Sequence, residues 1–554
     1  MTAHLLIGPL LRRVVGTRAT IWVETTAPAT VRVEVDGGGA GSATTFSAYG
    51  HHYALVIVEG LTPGTAGAYR VLLDDRQVWP AAGTPYPPSV IRTREEGEDD
   101  GPVRLIFGSC REATPHSTAR HLPPDALDAY ARRMMAGGPA PDLIVLLGDQ
   151  VYADNTSAKV KRFLRRRRAA GHQGPEDQVV TFDEYTKLYL ESWRDPEIRW
   201  LLSTVPSVMI FDDHELIDDW NTSLSWREDM AAQSWWIERI TGGLASYWVY
   251  QHLGNLSPEE LDADPLFPKV AAAEDATVLL HDFGRTVDTA TVDRYRWSFA
   301  LDLGRTRLVM LDNRCNRVLS NGAREMLPAQ EWQWFVDQAH GDYDHLVVGS
   351  SLPWLMPPAI HHLEAWNERR ADSSSPRVAA RAEKIRRTFD LEHWAAFGRS
   401  FAALGELFRH LAAGSFNGGR IGSGPAYSAP ATISVLSGDV HHSYVAQASL
   451  GTATPVMQLT CSPVHNQVPA FMRPLMRFSW SRLAARGVRG LARSAGVARP
   501  AWSWKRLAGP YFGNAVSTLE LTGPTATVTV EGTTKEGDLF SVAEVTYPRQ
   551  DDQR

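Results

Sequence analysis

Four short polar blocks, each lying directly after an apolar run, hold the residue types that could do chemistry in this chain. They read Phe107-Gly-Ser-Cys110-Arg111, Leu147-Gly-Asp149-Gln-Val-Tyr152-Ala-Asp154, Phe211-Asp212-Asp213-His214-Glu215 and Ser437-Gly-Asp439-Val-His441-His442. Carboxylates, imidazoles, a thiol and a phenol are the side chains that hold metal ions. Singly, each block has a structural explanation. A Gly-Asp at a strand end is a turn, a lone Cys is a small buried hydrophobe, and Asp-Asp-His-Glu suits an acidic helix start. Four such blocks in one pattern point to a metal site.

The elements that must position them follow from periodicity. Val103 to Phe107, Leu143 to Leu147, Val208 to Phe211, Leu308 to Leu311, Leu346 to Val348 and Ile433 to Leu436 are apolar at consecutive positions and separated by helical patterns. Such runs are expected as strands buried on both faces of an α/β core, with ligands collecting beyond their carboxyl ends. Residues 1–92 instead alternate as short strands with turn signals such as Asp36-Gly-Gly-Gly, which predicts an all-β unit. The phrase Val58-Glu-Gly-Leu-Thr-Pro-Gly-Thr before Tyr69 resembles a fibronectin type III corner and implies a sandwich. An acidic linker is expected at 93–102 and the α/β domain from 103 to 554, decorated by helical inserts at 222–290 and 355–430. Ser517 to Tyr547 returns to β alternation, as hairpins completing or covering a sheet edge.

Composition excludes several classes. With 44% hydrophobic and 21% charged residues, the chain of 554 residues has material for several cores and is not broadly disordered. A net charge of −7 argues against a surface built to coat nucleic acid. Three Cys cannot form a disulfide framework. The apolar start is interrupted by Arg12 and Arg13, a pair that resembles a twin-arginine signal only superficially, and no window reaches the ~18 uncharged apolar residues of a membrane span. The expectation is a soluble, cytoplasmic protein.

In this order the four blocks resemble the calcineurin-like metallophosphoesterases, and more closely the alkaline phosphatase D family, with its Gly-Ser-Cys, Gly-Asp-x-x-Tyr, Asp-Asp-His-Glu and Ser-Gly-Asp-x-His-His blocks. The resemblance covers about 103 to 466 and implies an α/β/β/α metallophosphoesterase sandwich behind an N-terminal all-β sandwich. It implies a metal-dependent phosphoric ester hydrolase acting on monoesters, diesters or both, with an alkaline optimum. Asp149 would bridge two metals ~3.5–4 Å apart. Cys110, Tyr152 and His441 would complete a site suited to Fe3+, and Asp213 and Asp439 an oxygen-rich site suited to Ca2+; other divalent metals fit the same reading. The wider superfamily's further His is absent, since Gly349-Ser350-Ser351 stands there. His214 would act as acid to the leaving oxygen, with Asp212 orienting its ring. Arg111 is expected to clamp a phosphate oxygen or else form a surface salt bridge. Asp218, Asp219 and Asn221 are expected near the metals or the substrate, or else as a solvated turn. The implied mechanism is in-line attack by hydroxide, with no covalent enzyme intermediate.

The segment 466–519 contains no Asp or Glu but nine Lys and Arg, interleaved with Phe and Trp, so the rest of the chain carries about −16 of formal charge. Resemblance to the family suggests a lid that attracts anionic esters. An anionic membrane surface, a nucleic-acid groove, and a solvated helix packing its Trp residues are the other readings; the small-molecule phosphate ester remains the favoured partner. The rivals to the main reading are a phospholipase D-like or nucleotide phosphodiesterase, and a non-catalytic phospho-ligand binding protein on the same fold.

Overall fold

The structure is a computed structural model that describes residues 2–95, 97, 101–112, 122–289, 294–320, 322–414 and 428–548. Parts of the expected 93–102 linker and of the inserts, at residues 290 and 415–427, lie outside the described residues.

Two facing sheets form the centre. One has six strands in the order Ser207–Ile210, Leu143–Leu147, Val103–Gly108, Ala515–Thr522, Thr525–Thr533 and Leu539–Tyr547. The first three are parallel, and Val103–Gly108 pairs antiparallel with Ala515–Thr522. The other has seven, in the order Phe299–Leu303, Thr306–Leu311, His345–Ser350, Thr432–Ser437, Val456–Thr460, Ser443–Ser449 and Ser503–Tyr511. Its central pairs are parallel.

Side-chain alternation shows why these strands read as continuous apolar runs. Phe107, Leu143, Val145 and Val208 point inward to meet Leu308, Met310, Val347 and Met457 of the other sheet. Their neighbours Ile106, Ile144, Leu146 and Met209 point outward under one helical layer. Val309, Leu311, Leu346, Val348, Ile433 and Val435 do the same under helices on the far side. These central strands are thus covered on both faces, giving helices, sheet, sheet and helices in order. The C-terminal hairpin strands complete the six-stranded sheet rather than merely covering its edge.

Residues 5–92 form sheets in the orders Leu5–Val15, Arg18–Thr25, His51–Val58, Phe46–Ala48 and Ala40–Thr44, Thr30–Val35, Ala66–Leu73, Arg76–Trp79, enclosing Ile21, Val31, Val33, Val56 and Val71. This unit is fastened to the α/β core. Trp22 and Tyr53 pack on Tyr250, and the buried Arg12 guanidinium donates to the carbonyls of Ser207, Tyr250 and Gln251 and to Asn255 Oδ1. The Arg12-Arg13 pair is therefore structural in the folded chain, with Arg12 pinning the two units together.

Candidate metal centre

Three of the polar blocks leave the carboxyl ends of the parallel-paired strands Val103–Gly108, Leu143–Leu147 and Ser207–Ile210, and the fourth leaves Thr432–Ser437 in the facing sheet, so parallel pairing gathers three of them and sheet-on-sheet packing adds the fourth. Their backbones are unusual. Cys110, Asp149, Asp439 and His441 all adopt positive φ, at 57°, 53°, 63° and 50°, a region costly for non-glycine residues and common at functional sites. Gly148, at φ 107°, lies against Asp212, whose Cβ would be 2.5 Å from an added methyl. At Gly438 an added Cβ would overlap the Ser109 side chain. The glycines thus permit the close approach of block to block.

Glu215, buried, locks two blocks to each other. Its carboxylate accepts from the backbone N–H groups of Asp149 (3.0 Å), Gln150 (2.7 Å) and Asp212 (2.9 Å), and from Gln251 Nε2 (3.1 Å). Ser109 Oγ accepts from Asp439 N at 3.0 Å, and Cys110 N donates to Gly148 O at 3.3 Å. Ser350 and Ser351 hold Asn313.

At the centre, Asp149 is 1% exposed and its Oδ1 has no hydrogen-bond partner; Oδ2 accepts from the Tyr152 hydroxyl at 3.3 Å. Ligand atoms of Asp149, Asp213 and His214 lie within 4.8 Å of one another. Burial first, and then neighbouring negative charge, push three groups well above their ordinary pKa values: the Asp149 carboxyl, where Asp213, Glu215 and Asp439 act against an opposing His214, and the Cys110 thiol and Tyr152 phenol, where Asp149 acts. Cys110 Sγ lies 3.2 Å from the hydroxyls of Ser109 and Ser462. A buried acidic cluster with an orphaned carboxylate oxygen is electrostatically incomplete, and a cation between these side chains completes it. The residues around Asp149 fit a metal ion.

The second acidic group is different. Ligand atoms of Asp212, Asp213 and Asp439 also converge, but the fully buried Arg314 reaches into them. Its Nε donates to Asp212 Oδ1, its Nη1 to Glu392 Oε1, and its Nη2 lies 3.4 Å from both Asp213 Oδ1 and Asp439 Oδ1. His393 adds to this, with Nε2 at 3.0 Å from Asp439 Oδ2 and Nδ1 at 2.7 Å from Glu364 Oε1. Burial opposes ionisation of Asp439, yet His393, Arg314 and His441 outweigh it and hold its carboxyl far below the ordinary range. Part of the negative charge on this side is thus balanced by the chain's own cations.

Of the residues expected at the site, Cys110, Asp149, Tyr152, Asp212, Asp213, His214, Asp439 and His441 come together, and three role assignments change. Asp212 does not orient His214. Its Oδ1 is bound by Arg314, and the His214 Nδ1 partner is Asp154, at 2.9 Å from Oδ1. Arg111 is buried and turned away from the cluster, with Nε on Asp125 Oδ2 (2.7 Å) and Nη1 on Ser192 O (2.9 Å). Asn221 faces protein rather than a ligand: its Nδ2 donates to the carbonyls of Arg314 and Cys315, and its Oδ1 accepts from Arg227. It therefore shapes the loop that carries Arg314. Burial raises Asp218 to about 7 and Asp219 to about 9, with Asp219 N donating to Asp213 Oδ2.

Sequence reasoning missed Arg314, His393, Glu364 and Glu392. The first had a signal, because Asp312-Asn313-Arg314 follows the apolar strand Thr306–Leu311 just as the four blocks follow theirs. The others lie in the long insert with no local pattern around them.

Residues 114–383 match the family model of the PhoD-like phosphatases. Residues 2–91 match a domain of unknown function, DUF7800. Among solved structures, one of PhoD covers 99% of this chain and 91% of its own at 12% identity, with a TM-score of 0.60, which establishes the shared fold. A purple acid phosphatase from yellow lupin (Lupinus luteus) seeds aligns over 97% of this chain and 73% of its own at 9% identity and a TM-score of 0.45. No curated protein sequence matches the chain. No described helix is long and apolar enough to cross a membrane.

Proposed function

We propose that this protein hydrolyses phosphate esters at a metal centre built on Asp149. The observation that carries the reading is the buried, unpartnered Asp149 Oδ1 beside Asp213 and His214 at the strand ends, in a chain whose residues 114–383 match the PhoD-like phosphatase family model. Cys110, Asp149, Tyr152 and His441 would hold one cation, for which a thiolate and a phenolate favour Fe3+; Asp149, Asp213 and Asp439 would hold a harder ion such as Ca2+. Bound cations supply positive charge to the phosphoryl oxygens and acidify a water for in-line attack.

The chain's own groups do the rest. Burial works against an imidazolium at His214, but Asp154, Asp213 and Asp149 outweigh it and raise its pKa well above the ordinary value. With Nδ1 held by Asp154, Nε2 is the atom that carries a proton to the leaving oxygen. Tyr152 packs its ring 4.6 Å from that of His214 and limits the imidazole's rotation. Arg314 fixes the carboxylates of Asp212, Asp213 and Asp439 before substrate arrives.

Metal analysis with a visible absorption spectrum, paired with turnover of nitrophenyl mono- and diesters, tests the reading. Iron, a phenolate charge-transfer band absent in Tyr152→Phe, and loss of turnover in Asp149→Asn are expected. Full activity in Asp149→Asn would overturn the proposal, and a colourless, iron-free, fully active enzyme would overturn the iron assignment.

A further inference from the structure

The basic segment after residue 466 begins with two short helices, Arg473–Ser479 and Arg482–Ser494, ahead of the strand Ser503–Tyr511. Among the described residues the large apolar side chains that stand most exposed number ten, and five of them are here: Phe471 (81%), Leu475 (64%), Phe478 (51%), Leu483 (74%) and Leu491 (41%). That concentration within 21 residues marks a surface patch rather than scattered exposure. Leu475 and Phe478 stand at i and i+3 on the first helix and share a face, and Phe471 lies in the turn that leads into it. On the second helix the exposed Arg482, Arg486 and Arg493 stand at i, i+4 and i+11 and make a cationic stripe beside Leu483, while the half-buried Arg489 donates from Nη2 to Val497 O. The flank that carries the buried Ala492 packs on the helix Pro358–Ala371.

We propose that these two helices are a docking surface for an anionic lipid bilayer. An exposed apolar ridge alone says nothing about what covers it, but here it is flanked by arginines in a stretch of the chain that has no carboxylate at all. Apolar side chains at the acyl boundary and guanidinium groups among anionic headgroups are the two contacts an interfacial helix makes. A second copy of the chain fits poorly, since a two-fold contact would set one arginine stripe against another. Nucleic acid fits poorly as well, because the tryptophans that could stack on bases are engaged inside. Trp480 packs edge-on to Tyr444, Trp502 stacks on Phe401, and Trp504 Nε1 donates to Met356 O.

The surface is held rigidly. Trp480 sits under Arg506, and Arg477 lies over Phe512, which in turn stacks on His442 of the fourth polar block.

Co-sedimentation of the full chain with phosphatidylcholine vesicles, with and without phosphatidylglycerol, tests the proposal and needs no catalytic activity. The chain should bind the anionic vesicles, release them as salt rises, and ignore the neutral ones. Two exposed triple variants, Phe471→Ser with Leu475→Ser and Phe478→Ser, and Arg482→Glu with Arg486→Glu and Arg493→Glu, should each bind at least about tenfold more weakly. Both should keep the wild-type melting temperature and turnover of a soluble ester. Binding retained by either variant, equal binding to neutral vesicles, or none to anionic ones would overturn it. Tighter capture of a single-stranded oligonucleotide, lost only in the arginine variant, would reassign the surface to nucleic acid. Self-association lost in the apolar variant would reassign it to a second copy.

Discussion

His214 Nδ1 lies 2.9 Å from Asp154 Oδ1, and Asp154 Oδ2 also accepts from Asp218 N at 2.7 Å. One carboxylate thus fixes both the imidazole and the turn after it. Asp154→Asn should lower turnover about 10- to 100-fold, the usual effect of removing a positioning carboxylate. Asp154 raises the His214 pKa, so its loss lowers it. With His214 as the proposed acid, the alkaline limb of the pH–rate profile should move to lower pH in the variant. A purely structural role would lower the rate without moving that limb.

Arg314 places one guanidinium among Asp212, Asp213, Glu392 and Asp439. Arg314→Met leaves buried carboxylates facing each other, and breaking a buried pair in this way costs about 3–5 kcal/mol. The variant should melt earlier, and added Ca2+ should raise its melting temperature more than it raises the wild type's. Equal shifts in both would show that Arg314 does not balance this side of the cluster.

Arg12 joins the N-terminal unit to the core through three carbonyls and one amide oxygen. Arg12→Met keeps much of the volume but leaves several buried acceptors unpaired, each worth about 1–3 kcal/mol. Chemical denaturation should show a clear loss of stability. Scission between the two units should become faster under limited proteolysis.

His51 bridges the N-terminal unit to the helix Phe182–Trp193, 2.9 Å from Glu24 Oε1 and 3.4 Å from Asp183 Oδ1. Burial lowers its pKa, but hydrogen bonds to Asp183 and Glu24 outweigh this and raise it to about 9. A raised imidazolium stabilises the fold fully below the unfolded value of about 6.5, and the contribution is lost as pH rises through about 9. Allowing for solvent screening, about 2 kcal/mol is at stake. The difference in melting temperature between wild type and His51→Ala should shrink from pH 6 to pH 10. A constant difference would sink the assignment.

The strands and their polar ends were readable because burial on both faces forces continuous apolar runs, as in Leu143–Leu147. A Gly-Asp after such a run is visible in one dimension. Arg314 carried the same signature in weaker form. His393 and Glu364 carried none, since His393, backed by Glu364, reaches Asp439 from an insert whose path depends on packing.

The amino-acid order by itself determined which side chains are available and that they follow buried strands: Cys110, Asp149, Tyr152, Asp213, His214, Asp439 and His441. Only the tertiary structure decided the partnerships. It gave His214 to Asp154 rather than Asp212, withdrew Arg111 to Asp125, and brought Arg314 into the carboxylates. The physical reason is that strand burial is a local property of consecutive residues, whereas a buried charge takes whichever counter-charge the folded chain brings within a few ångströms.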